Sequence, residues 1–333
     1  MSSSHHAQAS AQAALNLRPL SLGEVLDRAF NIYFKNIAAF TALLSIVIVP
    51  STLISYFQSR DMIDFMIKTF QHSIQSPGSP PDLSKINAFQ PSDTWIGVQY
   101  ALLFVGLPFA YGAVIAGVSR AYLGLPVHFA ESYRLALRRW LPILMLIVLW
   151  LVTAAALFFA VFVLFVIGAA VIGLISGLVG NNTFFGISAI VIVIGSMLAG
   201  IGVVVMLYLT SAMSFIAVVI EEIDPLKAFS LAFQRMFAGG QFWRGFALAL
   251  ALIGINFGVS LISAGGGALL AYFLKAPALY VIAVGLTSLF FAPFAVVAAA
   301  VFYYDIRIRR EGYDLQMLAE RFSSATPPAA SGL

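Results

Sequence analysis

WLPILMLIVLWLVTAAALFFAVFVLFVIGAAVIGLISGLVGNNTFFGISAIVIVIGSMLAGIGVVVMLYLTSAMSFIAVVI, residues 140–220, is 81 residues long and contains no Asp, Glu, Lys or Arg. A water-soluble domain needs charge on its surface. A bilayer selects against it, because a charged side chain at its centre costs about 2.5 kcal/mol or more. A hydrocarbon core takes roughly 20 helical residues to cross. The run therefore crosses at least twice, with its turn near Asn181-Asn182-Thr183.

The rest of the chain repeats this pattern. Of 333 residues 61% are apolar and 10% charged, and the mean hydropathy is +0.96, which is the composition of a polytopic all-α membrane protein. Spans are expected at about 37–57, 95–118, 142–167, 187–219, 246–270 and 279–303. Gly168, Gly173, Gly177 and Gly180 loosen the end of the third, so that 168–183 reads either as re-entrant or as part of a long bent helix. Gly173 and Gly177 also match a GxxxG packing pattern.

Three polar junctions interrupt the spans. Ser21-Leu22-Gly23-Glu24 fits a capping box, in which Ser21 and Glu24 each satisfy the other's free amide. Val25, Leu26, Ala29, Phe30 and Tyr33 then follow at helical spacing. Tyr133, Leu137 and Trp140 share a side in the second junction, with Arg134, Arg138 and Arg139 supplying charge. In the third, Asp224 is an N-cap and Pro225 a first-turn residue, and Leu226, Phe229, Leu231, Phe233 and Phe237 make the helix apolar. Glu221 and Glu222 read with Asp224 as negative charge at the positive end of that helix.

Each junction predicts an amphipathic helix lying in the membrane interface. They begin near Ser21, Pro126 and Pro225, and each precedes two spans. Pro108-Phe109-Ala110, Ser214-Phe215-Ile216 and Pro293-Phe294-Ala295 recur in the second span of each pair. The pattern favours three two-helix repeats about an axis along the membrane normal. The domain layout is a tail over 1–17, a membrane domain over 18–322 and a tail over 323–333. Its one long hydrophilic loop spans 58–94, with a helical first part and a Pro/Gly linker at 76–81. A short helix is expected at 315–322.

Charge orients the spans. Of 18 Lys and Arg residues, only Arg60, Lys68, Lys85 and Lys275 fall on the side opposite the junctions. The positive-inside rule then places both termini in the cytoplasm of an inner membrane. The net charge of +4 is accounted for by orientation, so no nucleic-acid partner is expected. Residues 1–16 show no signal-peptide pattern. The chain has no Cys, and its four His are scattered. It contains no HExxH, P-loop or GxSxG motif, so neither enzyme chemistry, a cofactor nor a metal is expected.

Three stretches carry a family resemblance. They are Arg18-Pro19-Leu20-Ser21-Leu22-Gly23-Glu24-Val25-Leu26-Asp27-Arg28-Ala29-Phe30, the segment 215–243 with Glu221, Pro225 and Phe242-Trp243, and Tyr303-Tyr304-Asp305-Ile306-Arg307-Ile308-Arg309-Arg310-Glu311-Gly312-Tyr313-Asp314-Leu315. Together they resemble the membrane domain attached to some bacterial glycerophosphoryl diester phosphodiesterases, which also occurs as a free-standing protein. The resemblance implies a membrane domain without the soluble catalytic barrel of those enzymes.

The arginines at 134, 138, 139 and at 307, 309, 310 are the candidate site, expected to hold anionic lipid headgroups. The expected role is a non-catalytic inner-membrane scaffold or lipid-handling protein. The alternative is a carrier or channel for a small neutral or lipid-like solute. Membrane lipids, anionic ones among them, are the expected partners.

Overall fold

A computed structural model of the chain describes residues 19–75, 93–179, 182–237 and 240–311. The two tails, the linker at 76–81 and the helix expected at 315–322 lie outside these residues. Among the described residues all regular structure is helical, and six helices are long and apolar enough to cross a membrane.

The first unit comprises α1 (Leu22–Lys35), α2 (Ile37–Gln75), α3 (Asp93–Ala101) and α4 (Leu107–Tyr122). A π-helical stretch, Leu102–Gly106, joins α3 to α4, so that these three segments form one span. The second unit is α5 (Phe129–Arg138), α6 (Trp140–Val179) and α7 (Asn182–Ile220). The third is α8 (Pro225–Phe237), α9 (Phe242–Leu274) and α10 (Ala278–Glu311).

Several boundaries differ from the sequence reading. The first span does not stop at 57: α2 continues through Gln75, taking in the first part of the expected loop. Of the two readings of 168–183, the structure takes the long helix: 168–179 forms the last turns of α6, a helix of 40 residues. Each glycine costs an α-helix only about 1 kcal/mol, and an uninterrupted helix satisfies every backbone amide in an apolar medium. The GxxxG pair makes no packing contact within the described chain, since a Cβ at Gly173 or Gly177 would meet nothing within 4 Å.

The second spans α4, α7 and α10 touch one another and form the centre of the bundle. Their inner faces supply most of the core: Ala113, Val114 and Val118 from α4, Met213, Ile216 and Val218 from α7, and Val297 through Tyr303 from α10. The first spans α2, α6 and α9 lie outside. Each short helix packs on a second span: α1 on α10, α5 on α4 and α8 on α7.

The first short helix turns part of its expected apolar side inward, while the other two bury mainly residues off the bulky side of the sequence pattern. α1 buries Val25, Ala29 and Tyr33. α5 buries Ser132 and Ala136 while Leu137 and Trp140 are exposed. α8 buries Ala228, Ala232, Arg235 and Met236 and exposes Leu226 and Phe237. Small residues let a short helix approach a span closely, and the large apolar ones are left on the outer surface.

Candidate functional site: the charged end of the bundle

The polar residues concentrate where the three short helices meet the ends of α4, α7 and α10, and they fall into two parts. The first is a buried network. Ser21 caps α1, with the capping box formed as its sequence requires, and the segment before it is clasped by α9 and α10. Leu20 donates its amide N–H to Asp305 Oδ1 at 2.6 Å, and its carbonyl accepts from Arg244 at 2.7 Å and Arg309 at 2.6 Å. Asp305 has no solvent exposure and accepts from both arginines at 3.0 Å. A buried carboxylate persists only when paired and hydrogen-bonded, and here three donors surround it.

A similar cluster lies where α7, α8 and α10 meet. Glu221 accepts from Arg235 at 2.9 Å and from the Tyr303 hydroxyl, and Arg307 lies 3.3 Å from it. Burial alone would push the Glu221 carboxyl up. The hydrogen bonds from Arg235 and Tyr303, with the charges of Arg235 and Arg307, outweigh burial and hold it below the usual carboxylate value. Of the three acidic residues expected to cap α8, Asp224 alone does so, accepting from the Leu226 amide at 2.9 Å. Glu221 is held in the network instead, and Glu222, at φ 55°, turns its carboxylate to Arg139.

The second part is an open cavity of about 420 Å³ between α4, α5 and the end of α7. Arg120, Arg134, Arg138, Glu131, Ser132 and Glu222 contribute to its wall. Arg120 pairs with Glu131, and Glu222 with Arg139. Arg134 and Arg138, one helical turn apart on α5, have no carboxylate partner among the described residues. Ser132, on the buried side of the same helix, has a buried hydroxyl with no hydrogen-bond partner. Guanidinium groups offer paired N–H donors whose spacing matches phosphate oxygens.

The six arginines singled out in the sequence thus separate. Arg134 and Arg138 line the cavity, and Arg139 borders it through Glu222. Arg307 and Arg309 are held by Glu221 and Asp305, and Arg310 donates to the Gln234 carbonyl at 2.8 Å. The α10 group is therefore tied into internal contacts. Sequence reading missed Ser132, Arg120, Arg235 and Asp305 as members of these clusters. Asp305 alone carried a signal, as a carboxylate four residues before Arg309.

The three stretches that carry the family resemblance meet at this end, through Leu20, Glu221, Arg235, Tyr303 and Asp305. Among the described residues no group of three or more His, Asp or Glu side chains is placed to hold a metal ion. No family model, curated protein or solved structure matches the chain.

Proposed function

We propose that the chain is a non-catalytic bacterial inner-membrane protein whose cytoplasmic face engages anionic lipid, serving as a scaffold or in lipid handling. The observation that carries this reading is the cavity wall with Arg134 and Arg138 unpaired beside the free Ser132 hydroxyl. Each basic group near an anionic surface contributes about 1 kcal/mol.

The short helices support placing this end at the membrane interface, since each leaves bulky apolar residues outside: Phe30 and Phe34, Phe129 and Leu137, Leu226 and Phe237. The excess of basic residues at the same end supports a cytoplasmic orientation. The two ends of the described chain, Leu20 and Asp305, are in contact there.

We further propose that the three units are repeats. Their support is a cyclic pattern: α5 and α8 each pack on the second span of the preceding unit, and α1 packs on the second span of the last. The kinship with the membrane domain of glycerophosphoryl diester phosphodiesterases is likewise proposed, and the convergence of its three stretches at one end supports it.

The test is native mass spectrometry of protein purified with its lipids. Arg134→Gln with Arg138→Gln should lose retained anionic lipid at least tenfold while the unfolding temperature stays unchanged. Undiminished retention, together with flux of a neutral solute in liposomes, would replace this reading with that of a carrier.

A further inference from the structure

Away from the charged end, α2, α4 and α10 enclose a second cavity of about 380 Å³. Hydroxyls line it: Ser51 and Ser55 from α2, Tyr111 from α4, and Tyr280 and Ser288 from α10. Among the described residues no Asp, Glu, Lys, Arg or His contributes to its wall.

Hydroxyls inside apolar helices ordinarily bond back to their own backbone. Ser45, Thr52 and Ser59 do so, Thr52 and Ser59 to the carbonyl four residues earlier and Ser45 to the one three earlier. Ser51 and Ser55 do not. They accept from the Gln99 side-chain amide at 2.7 and 3.3 Å, and their own protons have no acceptor among the described residues. Tyr111, Tyr280 and Ser288, which line the cavity, have no side-chain hydrogen bond among the described residues either. Unsatisfied polar groups in an apolar medium cost several kcal/mol each, so this concentration of free donors calls for a ligand that brings acceptors.

The neighbouring cavity is more apolar, with Tyr111, Tyr208 and Ser211 its hydroxyl residues. About 360 Å³ between α4, α7 and α10 is lined chiefly by Leu, Ile, Ala, Val and Phe. The two cavities share Leu103, Leu107, Tyr111 and Ala292 as walls. Leu103 belongs to the π-helical stretch, an irregularity that recurs at functional sites. Each cavity is within the roughly 300–1,000 Å³ of small-molecule sites.

We infer that the paired cavities form a binding site for an uncharged amphiphile. Its head carries ester or hydroxyl oxygens that accept from Ser51, Ser55, Ser288 and the two tyrosines, and its chain enters the apolar cavity. A phosphate-bearing head is disfavoured because nothing in the wall compensates its charge. This site is separate from the arginine cavity and does not depend on it.

The full chain is incubated in mixed micelles with dioleoylglycerol or, in parallel, dioleoylphosphatidylglycerol, and native mass spectrometry reads the retained lipid. The wild type retains one dioleoylglycerol. Ser51→Ala with Ser55→Ala and Ser288→Ala lowers that retention at least tenfold, and Ala295→Phe, which fills the apolar cavity alone, does the same. Ser288→Ala by itself lowers it about threefold; because Ser288 makes no side-chain hydrogen bond among the described residues, that variant does not act by unfolding the chain. Phosphatidylglycerol retention through Arg134 and Arg138 is unchanged in all three. Retention of dioleoylglycerol unaffected by these substitutions, or none in the wild type because the groove holds only water, would overturn the inference.

Discussion

Asp305 takes up three donors at zero exposure in a segment that reads, as sequence, like a chain leaving the membrane. Removing one partner of a buried ion pair costs about 3–5 kcal/mol. Arg244 and Arg309 are 26% and 29% exposed, so solvent compensates part of the loss. Asp305→Asn should therefore lower stability by about 3 kcal/mol in thermal unfolding of the detergent-solubilised protein. Glu221 gives a pH signature. Its folded-state carboxyl titrates below the ordinary value of 4.5, so its contribution is present above that value and lost as pH falls through the lowered one. Unfolding temperature followed from pH 7 to pH 3 should show the wild type losing stability in the acid range. Glu221→Gln should be less stable at pH 7, and the difference should shrink as the pH falls.

Helices in this protein press together at some glycines and stand free at others. At Gly267 in α9 a Cβ would lie 3.0 Å from the Ala283 Cβ and 3.3 Å from the Tyr280 backbone of α10. Gly267→Leu should thus cost about 1–3 kcal/mol, the usual penalty for overpacking, read as a lowered unfolding temperature. The far half of the α6–α7 hairpin behaves in the opposite way. At about 1.5 Å per residue, α6 is roughly 60 Å long, and its most apolar window has no residue buried within the protein. Gly173→Ala with Gly177→Ala should raise stability by about 1–2 kcal/mol, the helix propensity of the two residues, with no overpacking penalty. A fall in any dimer population in the same preparation would instead assign this motif to a contact between copies.

For the molecule as a whole, the contact between Leu20 and Asp305 brings the two ends of the described chain to one side of six spans. With that side in the cytoplasm, Lys275, in the turn between α9 and α10, is outside and His128, just before α5, is inside. The chain has no native Cys. Single cysteines at these exposed positions should therefore label cleanly with an impermeant maleimide: Lys275→Cys in intact cells, His128→Cys only after permeabilisation. Labelling of His128→Cys in intact cells would reverse the orientation.

Span number and helical class were legible in the sequence because a charge-free run such as 140–220 has only one stable solution in an apolar solvent. The α1 capping box was legible because its bonds are local, between Ser21 and Glu24. Span ends were not: the helical first part of 58–75 was legible, but nothing local there shows that it continues the first span without a break. The inward faces of the second and third short helices were not legible either. Hydrophobicity marks Leu137 and Trp140 for burial, but both are exposed, and Ser132 and Ala136 meet protein instead. Six arginines of one composition separated into free and committed ones only in three dimensions. Their partners, Glu221, Glu222, Asp305 and the Gln234 carbonyl, lie as far as 86 residues away (Arg307 to Glu221), and contacts of that range are set by the order in which the helices pack.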